Sequence, residues 1–260
     1  MLIDTHSHLH DPEFDADRDA VIERARQTGV GRIIAIGTDL ESSRKAVQLA
    51  ERYDFIYATV GVHPHDVKTL REESYDSLEQ LVRSASSGKV VGYGEIGLDY
   101  YYMHSPKELQ QKHFRGQIQL ARKLRLPLII HTRQAPEETL AILKEEKADE
   151  VGGVFHCYTG DLATAQAAIA MNFFISFSGI LTFPKATDLQ AVARELPIEH
   201  LLIETDCPYL APQAVRGQRN EPAYVMEVAA ELGRLHGLTR EEMGVRTSEN
   251  FLRLFPRARA

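Results

Sequence analysis

The 260-residue chain has no tryptophan, only two cysteines and no long apolar run. Two cysteines are too few for a disulfide scaffold, which favours a reducing compartment. Because no run of about 18 apolar residues occurs, no transmembrane helix is expected. The N-terminus also lacks the basic and apolar regions of a signal peptide. These absences predict a cytoplasmic protein with no membrane partner.

Positive charge is also scarce. The chain has 30 Lys and Arg against 37 Asp and Glu, which gives a net charge of −7. A protein that coats nucleic acid is usually basic, so the composition argues against a packaging role. It does not argue against an enzyme that handles phosphates, because bound divalent metal ions bring positive charge where it is needed.

Short β-branched and apolar runs alternate with longer segments of helical periodicity along the chain. The runs predict eight strands, at residues 2–5, 32–36, 56–60, 90–93, 128–131, 153–156, 173–176 and 200–203. The periodic segments predict helices at residues 16–28, 41–53, 77–84, 106–124, 137–146, 161–171, 187–196, 221–236 and 240–251. The last of these follows Thr239, with Glu242 three residues later, which is typical of a capping box.

Eight strands alternating with helices indicate an α/β protein with a parallel sheet. Eight is also the number that closes a (β/α)8 TIM barrel. We therefore predict one barrel domain over residues 1–260, with extra helices at the C-terminus; an open doubly wound sheet is the alternative. Cys157 and Cys207 follow strands 6 and 8, about 9–10 Å apart. That exceeds the reach of a disulfide, so two free, buried thiols are expected.

The first strand runs into a pair of histidines, His6 and His8. Alternate residues of a strand point to the same face, so the two imidazoles can bind one cation together. Neutral imidazole is a common ligand of transition metals. The pair alone is weak evidence, because most such histidines are ordinary surface or core residues.

Histidines and acids recur where other strands end. The residues concerned, with the first pair, are His6, His8, His63, Glu95, His131, His156 and Asp206. In a closed barrel these ends meet on one face, where enzymes of this fold have their active sites. Without His63, which does not fit the ligand count, four imidazoles and two carboxylates exceed what one catalytic zinc ion takes. They suit two divalent ions about 3.5–4 Å apart, bridged by a carboxylate. The donors allow Zn, Mn, Ni, Co or Mg.

The whole chain resembles the TatD-type metal-dependent hydrolases of the amidohydrolase-like superfamily. The resemblance rests on motifs spread over the sequence: Asp4-Thr-His-Ser-His-Leu9, Gly61-Val-His-Pro-His65, Gly94-Glu-Ile-Gly-Leu-Asp-Tyr-Tyr-Tyr102, His131-Thr-Arg133, His156-Cys-Tyr-Thr159, Ser176-Phe-Ser-Gly179, Glu204-Thr-Asp-Cys-Pro-Tyr-Leu-Ala-Pro212, Arg216-Gly, Asn220-Glu-Pro222 and Thr247-Ser-Glu-Asn-Phe251. It implies a distorted TIM barrel and a divalent-metal nuclease or related phosphoester hydrolase.

The same resemblance implies a division of the ligands. His6, His8 and Asp206 would hold one ion, His131 and His156 the other, and Glu95 would bridge them. Two positions depart from the family pattern. His10 stands where aspartate is common and Cys207 where serine is common, but neither is an expected ligand.

Further roles follow from position. Asp206 is predicted as the general base for the attacking water. His63 is placed beside the phosphate, as hydrogen-bond donor or acid to the leaving oxygen. Arg133 shares a strand face with His131 and could pair with phosphate or form a salt bridge to a nearby acid. Glu204 is predicted to orient a metal-binding histidine.

Two loops hold less specific candidates. Tyr100, Tyr101 and Tyr102 could stack on nucleic-acid bases or pack as an aromatic loop. Arg216 and Arg219 follow the last strand and could guide a nucleic-acid backbone or be solvated loop charges.

The leading prediction is a monomeric hydrolase that cleaves phosphodiester bonds through a water activated by two metal ions. The resemblance implies a deoxyribonuclease that trims single-stranded DNA or RNA from 3′ to 5′. A deaminase, lactonase or amidase acting on a small molecule is the second reading, because polarising a carbonyl needs the same Lewis acid. A non-catalytic barrel scaffold is the third, and the intact ligand set argues against it.

Overall fold

Eight parallel strands form the centre of the computed structural model, which describes residues 1–86 and 88–259. The strands are β1 (Leu2–Ser7), β2 (Val30–Ala35), β3 (Ile56–Val60), β4 (Val90–Asp99), β5 (Leu128–Arg133), β6 (Gly153–Phe155), β7 (Phe173–Phe177) and β8 (Leu201–Ile203). The α-helices in the described residues are α1 (Arg18–Gln27), α2 (Leu40–Arg52), α3 (Glu72–Ser84), α4 (Lys107–Leu124), α5 (Pro136–Glu145), α6 (Leu162–Ala170), α7 (Thr187–Glu195), α8 (Val225–His236) and α9 (Arg240–Leu254).

Each strand is hydrogen-bonded to the next one in the sequence, in the order β1 to β8. The first and last strands meet just beyond the end of β8. There the amide of His8 donates to the carbonyl of Cys207 at 2.8 Å, and the amide of Asp206 donates to the carbonyl of His6 at 2.9 Å. The predicted (β/α)8 barrel is confirmed, and the open doubly wound sheet is wrong. Because β1 and β8 pair at the C-terminal rim, the closure itself joins two elements that supply candidate ligands.

The last helix closes the opposite end of the barrel. Phe251 of α9, with Phe255 just after it, packs against inward-facing residues near the strand starts, including Ile3 and Leu202. The predicted capping box is confirmed, since Thr239 and Glu242 exchange hydrogen bonds at the start of α9. Among the described residues, no helix has both the length and the apolar character that a bilayer crossing requires.

The largest difference from the sequence prediction lies in β4, which continues to Asp99 rather than ending at residue 93. Glycine is usually disfavoured inside strands, yet Gly94 and Gly97 both lie within the extended β4. Both adopt positive φ, 145° and 146°, and the pairing with β5 shifts register between Tyr93 and Ile96. Such an irregularity re-aims side chains. Glu95 consequently lies inside a strand, not after it.

Two helix starts were also wrong. Helix α3 begins at Glu72, five residues before the predicted start, because the hydroxyl of Ser74 accepts the amide of Arg71 in a segment with no apolar periodicity. Helix α8 begins at Val225, because a 3-10 turn that opens with Pro222 precedes it. The other boundaries differ by at most three residues, as expected for helix and strand ends.

Replacing Gly97 with alanine should lower the free energy of unfolding by about 3 kcal/mol or more, measured by urea denaturation. The new Cβ would overlap the backbone carbonyl of His131 on β5, in addition to the backbone strain. Gly29→Ala is the matched control, because Gly29 also has positive φ but has open space around its Cβ position. That change should cost about 1–2 kcal/mol. Equal costs for the two variants would contradict the proposed close approach of β4 to β5.

Candidate metal centre

The four histidines among the six predicted ligands surround the carboxylate of a fifth, Glu95, which is 3% exposed. One of its oxygens, Oε2, lies 3.3 Å from Nε2 of His6 and 3.9 Å from Nε2 of His8. The two histidine nitrogens are themselves 3.3 Å apart. Asp206 completes this side, with Oδ1 at 3.2 Å from Nε2 of His8 and 3.6 Å from Nε2 of His6.

The other oxygen of the same carboxylate, Oε1, faces a second group of rings. It lies 2.8 Å from Nε2 of His156, 3.0 Å from Nδ1 of His131 and 3.3 Å from Nε2 of His63. The prediction placed His63 outside the ligand set; the structure brings it to the same oxygen as His131. The ring of His156 also stacks on that of His6, with centroids 4.0 Å apart. Glu95 therefore lies between two groups of donors.

The neighbouring histidines keep the carboxylates of Glu95 and Asp206 ionised. Burial opposes the charge on Glu95, but His156, His63 and His131 outweigh it and hold its pKa well below the usual range. Burial likewise opposes the charge on Asp206, and the hydrogen bond from His8 lowers its pKa below the ordinary value. Anionic oxygens therefore face ring nitrogens that can act as neutral ligands.

The donor set fits a divalent metal ion. Three groups of three residues each have ligand atoms within 4.8 Å of one another: His6, His156 and Asp206; His6, His8 and Glu95; and His63, Glu95 and His131. Imidazole nitrogen together with carboxylate oxygen suits zinc, manganese, nickel or cobalt, and carboxylate also suits magnesium. His6, Glu95 and His131 lie within strands, and the other donors lie within three residues of a strand end.

Backbone conformation helps to aim two of these side chains. Asp206 has φ of 58° just after β8, and Cys157, next to His156, has φ of 43°. Left-handed conformations are costly for residues other than glycine, and they cluster at functional sites. Glu204 lies below them, fully buried, with Oε1 accepting the amide of Cys157 at 2.6 Å and lying 3.4 Å from Nδ1 of His156. The expected free thiols are confirmed, although Cys157 is half-buried.

The centre lies at the base of a cavity of about 770 Å³. Tyr102 and Arg133 line its rim. The guanidinium carbon of Arg133 lies 4.2 Å from the ring centre of Tyr101 and 4.7 Å from that of Tyr102. Within residues 1–86 and 88–259, Arg133 forms no ion pair, so the salt bridge considered from the sequence is not found.

The structure does not bring the other predicted substrate contacts into this cavity. The Tyr100 hydroxyl donates to Oε2 of Glu138 on α5 at 2.6 Å, and Tyr100 does not line the cavity. Arg216 is exposed, with its guanidinium 4.1 Å from the ring centre of Phe183. Arg219 is held by an ion pair with an aspartate of the N-terminal loop at 2.7 Å.

Asp99, at the end of β4, was missed from the sequence. Its Oδ2 lies 3.1 Å from Nε2 of His131 and 2.9 Å from Nε2 of His65, and its Oδ1 accepts the amides of Tyr101 and Tyr102. With the Nε2 proton of His131 donated to Asp99, Nδ1 is left as the ligand atom facing Glu95. The signal was available: Asp99 is four residues from Glu95, and a longer β4 would have placed both on one face.

The comparisons with known proteins agree with this geometry. The model of the TatD-related DNase family matches residues 3–256. The chain belongs to the TatD-related DNase family. It shares 46% identity over 255 residues with the "uncharacterized metal-dependent hydrolase YabD" of Bacillus subtilis (strain 168), covering 98% of this chain and 99% of that protein. Family membership makes it a metal-dependent hydrolase of the TatD type.

Two further TatD relatives are similar over nearly the whole chain. The "3'-5' ssDNA/RNA exonuclease TatD" of Cronobacter sakazakii is 34% identical, covering 98% of this chain and 97% of that protein. The crystal structure of the TatD homologue YJJV from Escherichia coli K12 superposes with a TM-score of 0.91 at 34% identity, covering 98% of each chain.

Replacing Asp99 with asparagine should weaken divalent metal binding by about 10- to 100-fold, measured by calorimetric titration with Mn²⁺ or Zn²⁺. Asparagine keeps the shape but removes the charge that holds His131 through its Nε2 proton. Asp66→Asn is the control. Asp66 lines the same cavity, and its substitution removes a charge of the same sign and size. If both variants weaken binding equally, the contact with His131 has no specific role.

Burial lowers the pKa of His63 to about 4. In metal-free protein the ring therefore stays neutral above about pH 4 as long as the protein is folded. A lowered histidine pKa means that stability is lost as pH falls from 6.5 towards 4. Between about pH 7.5 and pH 5, wild-type protein should therefore lose about 2 kcal/mol more stability than His63→Gln. Urea denaturation in chelator measures this difference.

His104→Gln serves as the control for that experiment, since His104 is exposed. It should keep the pH dependence of the wild type. A His63→Gln curve that runs parallel to the wild-type curve would show that His63 is not buried as a neutral ring.

Proposed function

We propose that this protein hydrolyses phosphodiester bonds with two divalent metal ions and trims single-stranded DNA or RNA from the 3′ end. The observation that carries the proposal is the position of Glu95, whose two oxygens face separate donor groups, as a bridging carboxylate would. The name of the Cronobacter sakazakii relative, an exonuclease of this polarity, supports the choice of substrate.

In this proposal His6, His8 and Asp206 would hold one ion, His131 and His156 would hold the other, and Glu95 would serve both. When bound, the ions would polarise a phosphoryl oxygen and lower the pKa of a water molecule. Zinc, manganese, nickel, cobalt and magnesium are all compatible with these donors. Asp206 is ionised and opens to the cavity, so it can accept the proton of the attacking water.

His63 is suited to contact the phosphate. Its Nδ1 accepts the amide of His65 at 3.2 Å, which places the ring proton of the neutral form on Nε2. That nitrogen is next to Glu95 Oε1 and belongs to a residue lining the cavity. We therefore assign His63 as a hydrogen-bond donor to a phosphoryl oxygen or to the leaving oxygen, rather than as a metal ligand.

The aromatic residues near the mouth of the cavity favour a single-stranded nucleic acid as the substrate. Tyr101, Tyr102 and Tyr209 each leave at least half of their surface exposed. Arg133 packs against the rings of the first two. Exposed aromatic rings can stack on unpaired bases of any sequence, whereas the bases of a duplex already stack on each other. We propose Tyr102 and Arg133, which line the cavity, as contacts to the substrate, in place of Tyr100 and Arg216.

Glu95→Gln should reduce cleavage of a single-stranded oligonucleotide by at least about a thousandfold, because losing the bridge removes several kcal/mol of transition-state stabilisation. The assay uses metal-loaded protein and compares 5′-labelled with 3′-labelled DNA and RNA. With the 5′ label, we expect a ladder of products that shorten from the 3′ end. With the 3′ label, we expect immediate release of labelled mononucleotide.

Asp188→Asn is the control, since Asp188 lies on α7, outside the cavity lining. It should retain wild-type activity. Small esters, amides and lactones are assayed in parallel. Turnover of these with no cleavage of either nucleic acid, or full nuclease activity in Glu95→Gln, would contradict the proposed function.

A further inference from the structure

A second cavity, of about 460 Å³, lies at the end of the barrel opposite the metal centre. Its wall includes Val91 near the start of β4, Pro127 just before β5 and Val151 just before β6. Pro256, after α9, completes the apolar part. Its volume falls within the usual range for sites that bind small molecules. We call it the arginine-lined cavity.

Four arginines and one acid line this cavity: Arg122, Arg125, Arg253, Arg257 and Glu150. Arg122 is paired with Glu150 at 2.6 Å. Arg257 donates to two backbone carbonyl oxygens, at 2.9 and 3.4 Å, and Arg253 also donates to a backbone carbonyl. The bonds to carbonyl oxygens hold the guanidinium groups of Arg253 and Arg257 without neutralising their charge. Four positive charges and one negative charge leave an excess of three, in a chain whose net charge is −7.

Arg125 is the most unusual of the four. It ends α4 in the left-handed conformation, with φ of 54°, where glycine or asparagine is ordinarily favoured. Its side chain forms no ion pair in the part of the chain that the structure describes. Arg125 therefore places an exposed positive charge beside those of Arg253 and Arg257, in a backbone conformation that is costly for arginine.

Like charges around one cavity repel each other, and an anion relieves this repulsion. Guanidinium is planar and presents parallel donors that match two phosphate oxygens. We propose that the arginine-lined cavity binds a phosphate chain, of the kind shared by inorganic tripolyphosphate and nucleoside triphosphates. The apolar residues Val91, Pro127, Leu254 and Pro256 offer a surface on which a nucleoside base can pack. This site is separate from the metal centre and does not depend on the function proposed for it.

The test is calorimetric titration of metal-loaded protein with tripolyphosphate and, separately, with ATP. Both ligands are expected to bind if the phosphate chain suffices, and ATP alone is expected to bind if the base contact is also needed. Arg125→Glu should weaken binding by about tenfold or more, because it removes a charge-assisted contact and adds a repulsive one. Arg125 is chosen because its side chain holds no other part of the described structure in place.

Arg44→Glu, on α2 and outside the lining of both cavities, is the control for a general change of net charge. It should leave the affinity within about twofold of the wild-type value. The proposal is overturned if neither ligand binds, if Arg125→Glu binds as tightly as wild type, or if Arg44→Glu weakens binding as much as Arg125→Glu does.

Discussion

The buried carboxylate of Glu95 is the group on which the rest of the site depends. A charge this far from water would be costly alone, and five histidines with nitrogens within 4 Å of its oxygens offset that cost. Those histidines lie in or just after four strands, β1, β3, β5 and β6. One carboxylate therefore links distant parts of the sequence. These residues would hold a divalent cation in place of the protons that such a cluster of donors would otherwise share.

The barrel explains why so much of this could be predicted from sequence. Parallel strands in consecutive order bring every C-terminal end to one rim, so a histidine or acid at several strand ends predicts a shared site. His6, His8, His131, His156 and Asp206 were found in this way, and the structure brings them together. The fold itself followed from periodicity alone, since eight alternating units leave few arrangements.

Most of the site details that could not be predicted from the sequence depend on the path of β4. Two glycines with positive φ carry the strand past the point where propensity would end it, and tertiary contacts such as the pairing with β5 stabilise that path. The extension places Asp99 against His131 and turns Tyr102, not Tyr100, towards the cavity. Likewise, the proton position on His63 depends on one backbone amide, that of His65, which no spacing rule identifies. Tertiary contacts decide these details, whereas local pattern decides where along the sequence the eight strands lie.

The most direct test of a bridging Glu95 is the position of bound metal. A crystal of Mn²⁺-loaded protein, with data collected at an energy where manganese scatters anomalously, locates each ion without reference to activity. The account predicts two anomalous peaks about 3.5–4 Å apart, one on each side of the Glu95 carboxylate. A single peak, or two peaks of which neither touches Glu95, would contradict it.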